Sequence, residues 1–161
     1  MKKTKYVPST CTHCNQTTTY LLPIDKGTVQ IIRAISKYIG RKGINVVHPR
    51  KEMEGINLTS NEVGNLSRPR FHGLIARVKG EKGNYLLTKK GADFLNRKTK
   101  IDKYAIISKE TGHNIGYFEP GQHLVSVDDF IDSNEFWEGT GYDIVSGRVI
   151  TENDLFNSVN V

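Results

Sequence analysis

The sequence predicts an α+β fold, and three observations carry that prediction. Apolar residues at three- and four-residue spacing follow Lys26, "HGLIARVKGEKGNYLLTKKGADFL" reads as a hairpin running into a helix, and short β-prone runs lie near both ends. At 161 residues the chain can bury a core of its own and is short for two full-sized domains. Its 37% hydrophobic and 25% charged content suits a globular protein, without repeats or low-complexity tracts. No apolar run approaches the length of a membrane span. "MKKTKYVPSTCTHC" lacks the apolar stretch of a secretory signal, so a cytoplasmic location without a membrane partner is expected.

The elements follow in chain order. "CTHCNQTTTYLL" is a close Cys pair entering a Thr-rich strand that Pro23 stops. In "DKGTVQIIRAISKYIGRKG", Thr28 is positioned to cap a helix. Ile31, Ile32, Ile35, Tyr38 and Ile39 form its inner face, and Gly40 and Gly43 end it. After the extended "INVV", Pro49 suits the first turn of a brief helix in "HPRKEMEG". Thr59 and Glu62 have capping-box spacing, so another helix starts near Ser60. Pro69 interrupts its course: either the helix kinks near Arg68, or it ends around Leu66 and Ser67 caps a second helix.

Leu74–Val78 and Tyr85–Leu87 are strand-like around a turn from Lys79 to Asn84, and Thr88 is placed to cap a helix that buries Phe94 and Leu95. From Tyr104 the strand pairs "YAIIS"/"NIGYF" and "YDIV"/"RVI" are expected, with "LVSV" before a turn or two of helix in "DDFIDSNEFW". Phe130, Ile131, Phe136 and Trp137 are its expected core residues. "TENDLFNSVN" reads as a loosely attached tail.

Three segments result: a Cys-knuckle segment at 1–25, a helical domain with its hairpin at 26–100, and a small β-rich extension at 101–161. Charge divides them as well. Residues 1–103 hold 21 Lys and Arg against 7 Asp and Glu, a balance of +14, whereas residues 104–161 hold 2 against 10, a balance of −8. Polyanions are drawn to the first region and repelled by the second, which points to a nucleic-acid partner on the amino-terminal two-thirds.

The order helix, short helix, helix, hairpin, helix, with Gly73, Leu74 and Ile75 entering the hairpin and Leu87, Thr88 and Gly91 leaving it, resembles the winged helix-turn-helix domains. The MarR-like group and small phage and mobile-element proteins are the nearest in pattern, over about Lys26 to Lys100. The resemblance implies duplex-DNA binding by a helix and a basic wing, with regulation of phage or mobile-element transcription as the role. Pro69 departs from the pattern, standing where these families keep an unbroken recognition helix.

On this reading Asn61, Asn65, Arg68 and Arg70 are candidates for base edges, since Asn pairs with adenine and Arg with guanine. Arg77, Lys79 and Lys82 supply the wing's cations, and Lys89 and Lys90 hold the backbone beside it. His72 is expected to be a partly buried packing or hydrogen-bonding histidine. The competing, non-enzymatic reading is a protein-interaction module that binds a host or defence complex. The acidic extension is expected to self-associate, meet a protein partner, or cover the basic face.

Cys11 and Cys14 have the spacing with which two thiolates share one Zn²⁺, and Asn15 suits a knuckle turn. His13, His48, His72, His113 and His123 are the chain's only histidines, and His113 with His123 is the pair taken to complete the site. The alternatives are an open site, a degenerated site, or two reduced thiols. No P-loop, G-x-G-x-x-G, G-x-S-x-G or H-E-x-x-H occurs. Asp128, Asp129 and Asp132 suit helix capping better than a nuclease metal site, so no enzyme is expected.

Overall fold

The computed structural model describes residues 6–14, 16–78 and 80–140. Asn15, Lys79, the expected "YDIV"/"RVI" hairpin and the tail lie outside them. The fold is mixed, with helices and, among the described residues, three antiparallel sheets. No described helix is long and apolar enough to cross a membrane.

Strand β1 (Thr19–Pro23) leads into helix α1 (Lys26–Lys42). Asp25, not Thr28, caps this helix. Its Oδ1 accepts from the Thr28 amide at 2.8 Å and the Thr28 hydroxyl at 2.7 Å, while Thr28 lies inside the first turn and is buried. Ile31, Ile32, Ile35, Tyr38 and Ile39 all face the core, and Gly43 closes the helix in the left-handed conformation with φ 66°.

Strand β2 (Val46–Val47) precedes helix α2 (Met53–Ile56), helix α3 (Ser60–Gly64) and helix α4 (Ser67–Phe71). The Thr59–Glu62 capping box forms at both of its bonds. Of the two courses open at Pro69, the chain takes two helices, but Ser67 is not the cap. Leu66 occupies that position in helical geometry without a side-chain bond. Pro69 therefore sits in the first turn of α4, where its missing N–H leaves no helical bond unmade.

Strand β3 (Ile75–Arg77) and strand β4 (Tyr85–Leu87) form the expected hairpin, in the register Ile75↔Leu87, Ala76↔Leu86 and Arg77↔Tyr85. β2 joins on the other side of β4, giving the strand order β2-β4-β3. Helix α5 (Lys89–Leu95) follows. One contact cluster joins the ends of the hairpin to this helix. The Thr88 hydroxyl donates to the Gly73 carbonyl at 2.6 Å and accepts from the Gly91 amide at 3.0 Å, while the Thr88 amide reaches the Leu74 carbonyl at 3.1 Å.

The remaining elements are β5 (Ile101–Asp102), β6 (Tyr104–Ser108), β7 (Asn114–Tyr117), β8 (Leu124–Val125) and a 3₁₀ turn at Val127–Phe130. β1 pairs with β6, and β6 with β7, so the Cys-bearing segment and the acidic extension share one sheet. Trp137 is 4% exposed and its indole N–H donates to the Leu95 carbonyl at 2.8 Å. Phe136, expected in the core, is 82% exposed, because the backbone that buries Trp137 turns its neighbour outward.

His72 is fully buried, deeper than the part-burial expected of it, and neither ring nitrogen makes a hydrogen bond of normal geometry. Burial lowers its pKa to about 4, aided by the nearby Lys90 and Arg68 charges and opposed by Asp25 and the Pro23 carbonyl. The unfolded chain, with an ordinary histidine, binds more protons between about pH 6.5 and 4, so this group's contribution is present above pH 6.5 and is lost as pH falls towards 4. Thermal unfolding from pH 7.5 to 4 should show a loss on the order of 3 kcal/mol from this residue. The loss should shrink in His72→Gln, and an unchanged pH profile in that variant would refute the assignment.

Candidate nucleic-acid interface

Helix α3, the turn after it and α4 present one polar face and one apolar face. Val63, Leu66 and Pro69 point inward, whereas Ser60, Asn61, Gly64 and Asn65 are exposed and Ser67 and Arg68 are half-buried. The outward set follows the helical three- and four-residue spacing, with no apolar side chain in it. The Asn65 amide donates to the Asn61 carbonyl at 3.0 Å, which orients it along the helix and leaves its oxygen as an acceptor.

Two adjacent loops lie beside this face. One is the hairpin tip, closed by Val78 N–H to the Asn84 carbonyl at 3.0 Å and turned by Gly80 and Gly83 at φ 81° and 87°. Lys82 is exposed there, beside Glu81, whose carboxylate accepts from the Asn84 side-chain amide at 2.7 Å. The other is the Pro49–Lys51 turn, which carries Arg50 and Lys51, both exposed.

His48 ties the two loops together. Its ring packs so closely on Gly83 that a Cβ there would meet the Nε2 atom at 2.5 Å, and its Nδ1 accepts from the Lys51 amide at 3.2 Å. A cleft of about 240 Å³, lined by His48, Arg50, Gly64, Ser67, Gly83 and Tyr85, lies between the loops and the helix pair. Arg50 and Lys51 were not singled out from the sequence. The signal was two adjacent cations beside Pro49, read there only as the first turn of a helix.

The cations differ in what holds them. No ion pair engages Arg50, Lys51, Arg77 or Lys82 among the described residues. Arg68 bonds Asp25 at 3.0 Å, on the carboxylate oxygen that the α1 cap leaves over. Burial raises the Asp25 pKa, but the Thr28 bonds and the Arg68 charge outweigh it and hold the carboxyl below its ordinary value. Lys89 pairs with Asp93 at 2.6 Å and Lys90 donates to the Tyr117 hydroxyl at 3.0 Å, so both face neighbours on the protein.

Arg70 is 7% exposed and lies over the Phe71 ring at 4.7 Å. It is placed beneath the helix pair and not on its outward face, because α4 turns it towards β3.

Three described carboxylates of the extension reach α1 and the end of α5: Asp132 meets Lys26, Glu135 meets Arg33 at 3.0 Å, and Asp128 meets Arg97 at 2.9 Å. Asp129 closes its own turn by accepting from the Ser126 amide at 2.8 Å. None of these carboxylates covers Arg50, Arg77 or Lys82.

The four residues taken as metal ligands do not converge. Among the described residues no group of three or more His, Cys, Asp or Glu side chains is placed to hold a metal ion. The β6–β7 hairpin separates the two histidines, with His113 following its turn and His123 beyond its open end. There His123 bonds Glu119 at 2.9 Å and stacks on Phe118 at 5.7 Å. Cys11 and Cys14 stay together, and the Cys14 and His13 amides lower the Cys11 pKa.

No protein-family model, curated protein or solved structure matches the chain.

Proposed function

We propose that the chain is a winged helix-turn-helix protein that binds duplex DNA without chemistry, acting as a regulator of transcription of the phage or mobile-element type. The observation that carries the reading is the exposed polar face at Ser60, Asn61, Gly64 and Asn65, with Arg50, Lys51, Arg77 and Lys82 on the elements beside the helix pair, none of them in an ion pair among the described residues. The strand order β2-β4-β3, with its hairpin beside the helix pair, supports the wing assignment. Asn61 and Asn65 read base edges in the major groove, Arg68 joins them by exchanging Asp25 for a base or a phosphate, and the flanking cations hold the backbone.

Two sets of variants separate these roles. Arg50→Ala with Lys82→Ala is expected to weaken binding to all duplexes alike and to lower the slope of log affinity against log salt by about 2. Asn61→Ala with Asn65→Ala is expected to leave that slope in place and to reduce discrimination between sites, at roughly 1–3 kcal/mol per lost base contact. Unchanged affinity and specificity in both sets, measured by fluorescence anisotropy, would refute the interface. The exposed Phe136, within an acidic segment, favours a second surface for a protein partner or another copy, and analytical ultracentrifugation of Phe136→Ser tests it.

A further inference from the structure

Arg70 is 7% exposed, and its guanidinium has neither a hydrogen bond nor an ion pair among the described residues. Its Nε is enclosed without an acceptor. An arginine cannot shed its charge at neutral pH, and a buried charge is costly without a counter-charge. Here the surroundings add to the cost. Burial is the main influence lowering its pKa and Arg77 the next, with Tyr85 opposing them.

A second basic element faces the same spot. The Asn114 side-chain amide donates to the Phe71 carbonyl at 2.6 Å, which lays the start of β7 on the end of α4. That contact brings His113 within range of both arginines, and with burial their charges hold it below the ordinary histidine pKa. Three basic side chains from α4, β3 and the β6–β7 turn thus meet, and among the described residues no carboxylate bears on Arg70. The Phe71 ring under the guanidinium fixes its plane, which suits a fork that bonds two oxygens at once.

We propose that Arg70, flanked by Arg77 and His113, is a binding site for a phosphate oxyanion. Arg70 supplies the paired donors, Arg77 supplies further positive charge, and the His113 ring lies within range of both. The shared chemistry is a tetrahedral phosphate, which can come from free inorganic phosphate or from a phosphodiester beside the wing. The site does not require the DNA reading to hold.

The test uses the whole chain and inorganic phosphate, titrated against chloride at constant ionic strength, with thermal stability and ¹H–¹⁵N spectra as readouts. Saturable stabilisation is expected, with shifts at Arg70, Arg77 and His113. Arg70→Met, which keeps the volume and removes the charge, should fold in chloride and bind phosphate roughly 10- to 100-fold more weakly. Arg70→Lys should recover part of the affinity.

No saturable effect of phosphate on the wild-type chain, or an equal effect on Arg70→Met, would overturn the site. Loss of the phosphate-dependent shifts on adding duplex DNA assigns the occupant to the phosphodiester backbone, and their persistence on DNA-bound protein assigns it to free phosphate. Both results sustain the oxyanion site. Failure of DNA to bind at any salt concentration, with the phosphate response intact, overturns the proposed function and leaves this site standing.

Discussion

Replacement of Trp137 by Ala is expected to remove about 3–5 kcal/mol of stability, a large share of what holds a protein of this size together. The indole is the only one in the chain and is almost wholly buried. Its ring lies under Arg33 at 4.9 Å and Lys37 at 5.5 Å, and its N–H ends the α5 carbonyl ladder at Leu95. Loss of the ring removes the anchor that brings Glu135 to Arg33 and Asp132 to Lys26. Those pairs are partly exposed and contribute little by themselves. Trp137→Phe should cost far less, about 1 kcal/mol for the lost hydrogen bond plus some packing. Denaturant unfolding checks both, and a Trp137→Ala variant as stable as the wild type would contradict the role given to this residue.

The second large effect is expected at Gly91, where Gly91→Ala should lower stability by about 2–4 kcal/mol and Tm by roughly 4–16 °C. An added Cβ would press into the Leu74 carbonyl oxygen and sit 3.0 Å from Leu87 Cδ1. The first of these is backbone held by the Thr88 amide, so it cannot swing aside. Gly64→Ala is the matched control. Nothing lies within 4 Å of a Cβ there, so stability should hold or rise slightly. Differential scanning calorimetry of the pair decides the matter, and equal midpoints would remove the close approach of α5 to Leu74 from the account.

These two sites also show what local sequence can and cannot convey. Helix α1 was legible because five apolar residues repeat at helical spacing and Gly43 ends it, signals contained within one segment. The hairpin was legible for the same reason, and Gly73, Leu74, Thr88 and Gly91 prove to be direct neighbours. The cap at Asp25 was missed because Thr and Asp three residues apart are both good caps, and only the backbone angles distinguish them.

Long-range packing left no local trace. Nothing in "TTTYLL" announces that it pairs with "YAIIS" some 85 residues on, or that Trp137 seals the end of α5. In the candidate interface, Asn61, Asn65, Arg77 and Lys82 were readable as polar or basic residues on a helix face and a hairpin. The burial of Arg70 was not, since arginine in the last turn of a helix is ordinarily exposed. The separation of His113 from His123 follows from the hairpin's length and from which end each histidine occupies, which spacing in sequence does not determine.

The charge division takes on a spatial meaning. Asp128, Asp132 and Glu135 of the extension pair with α1 and the end of α5, and among the described residues no carboxylate pairs with Arg50, Lys51, Arg77 or Lys82, which on the proposed reading leaves their charge for an external polyanion. The most direct test of that claim is the affinity of the whole chain for duplex DNA across salt concentrations. The account predicts measurable binding at 50 mM salt and a log–log slope of about −3 to −4, from contacts by Arg50, Lys51, Arg77 and Lys82. No binding at 50 mM salt, or binding that does not respond to salt, would contradict it.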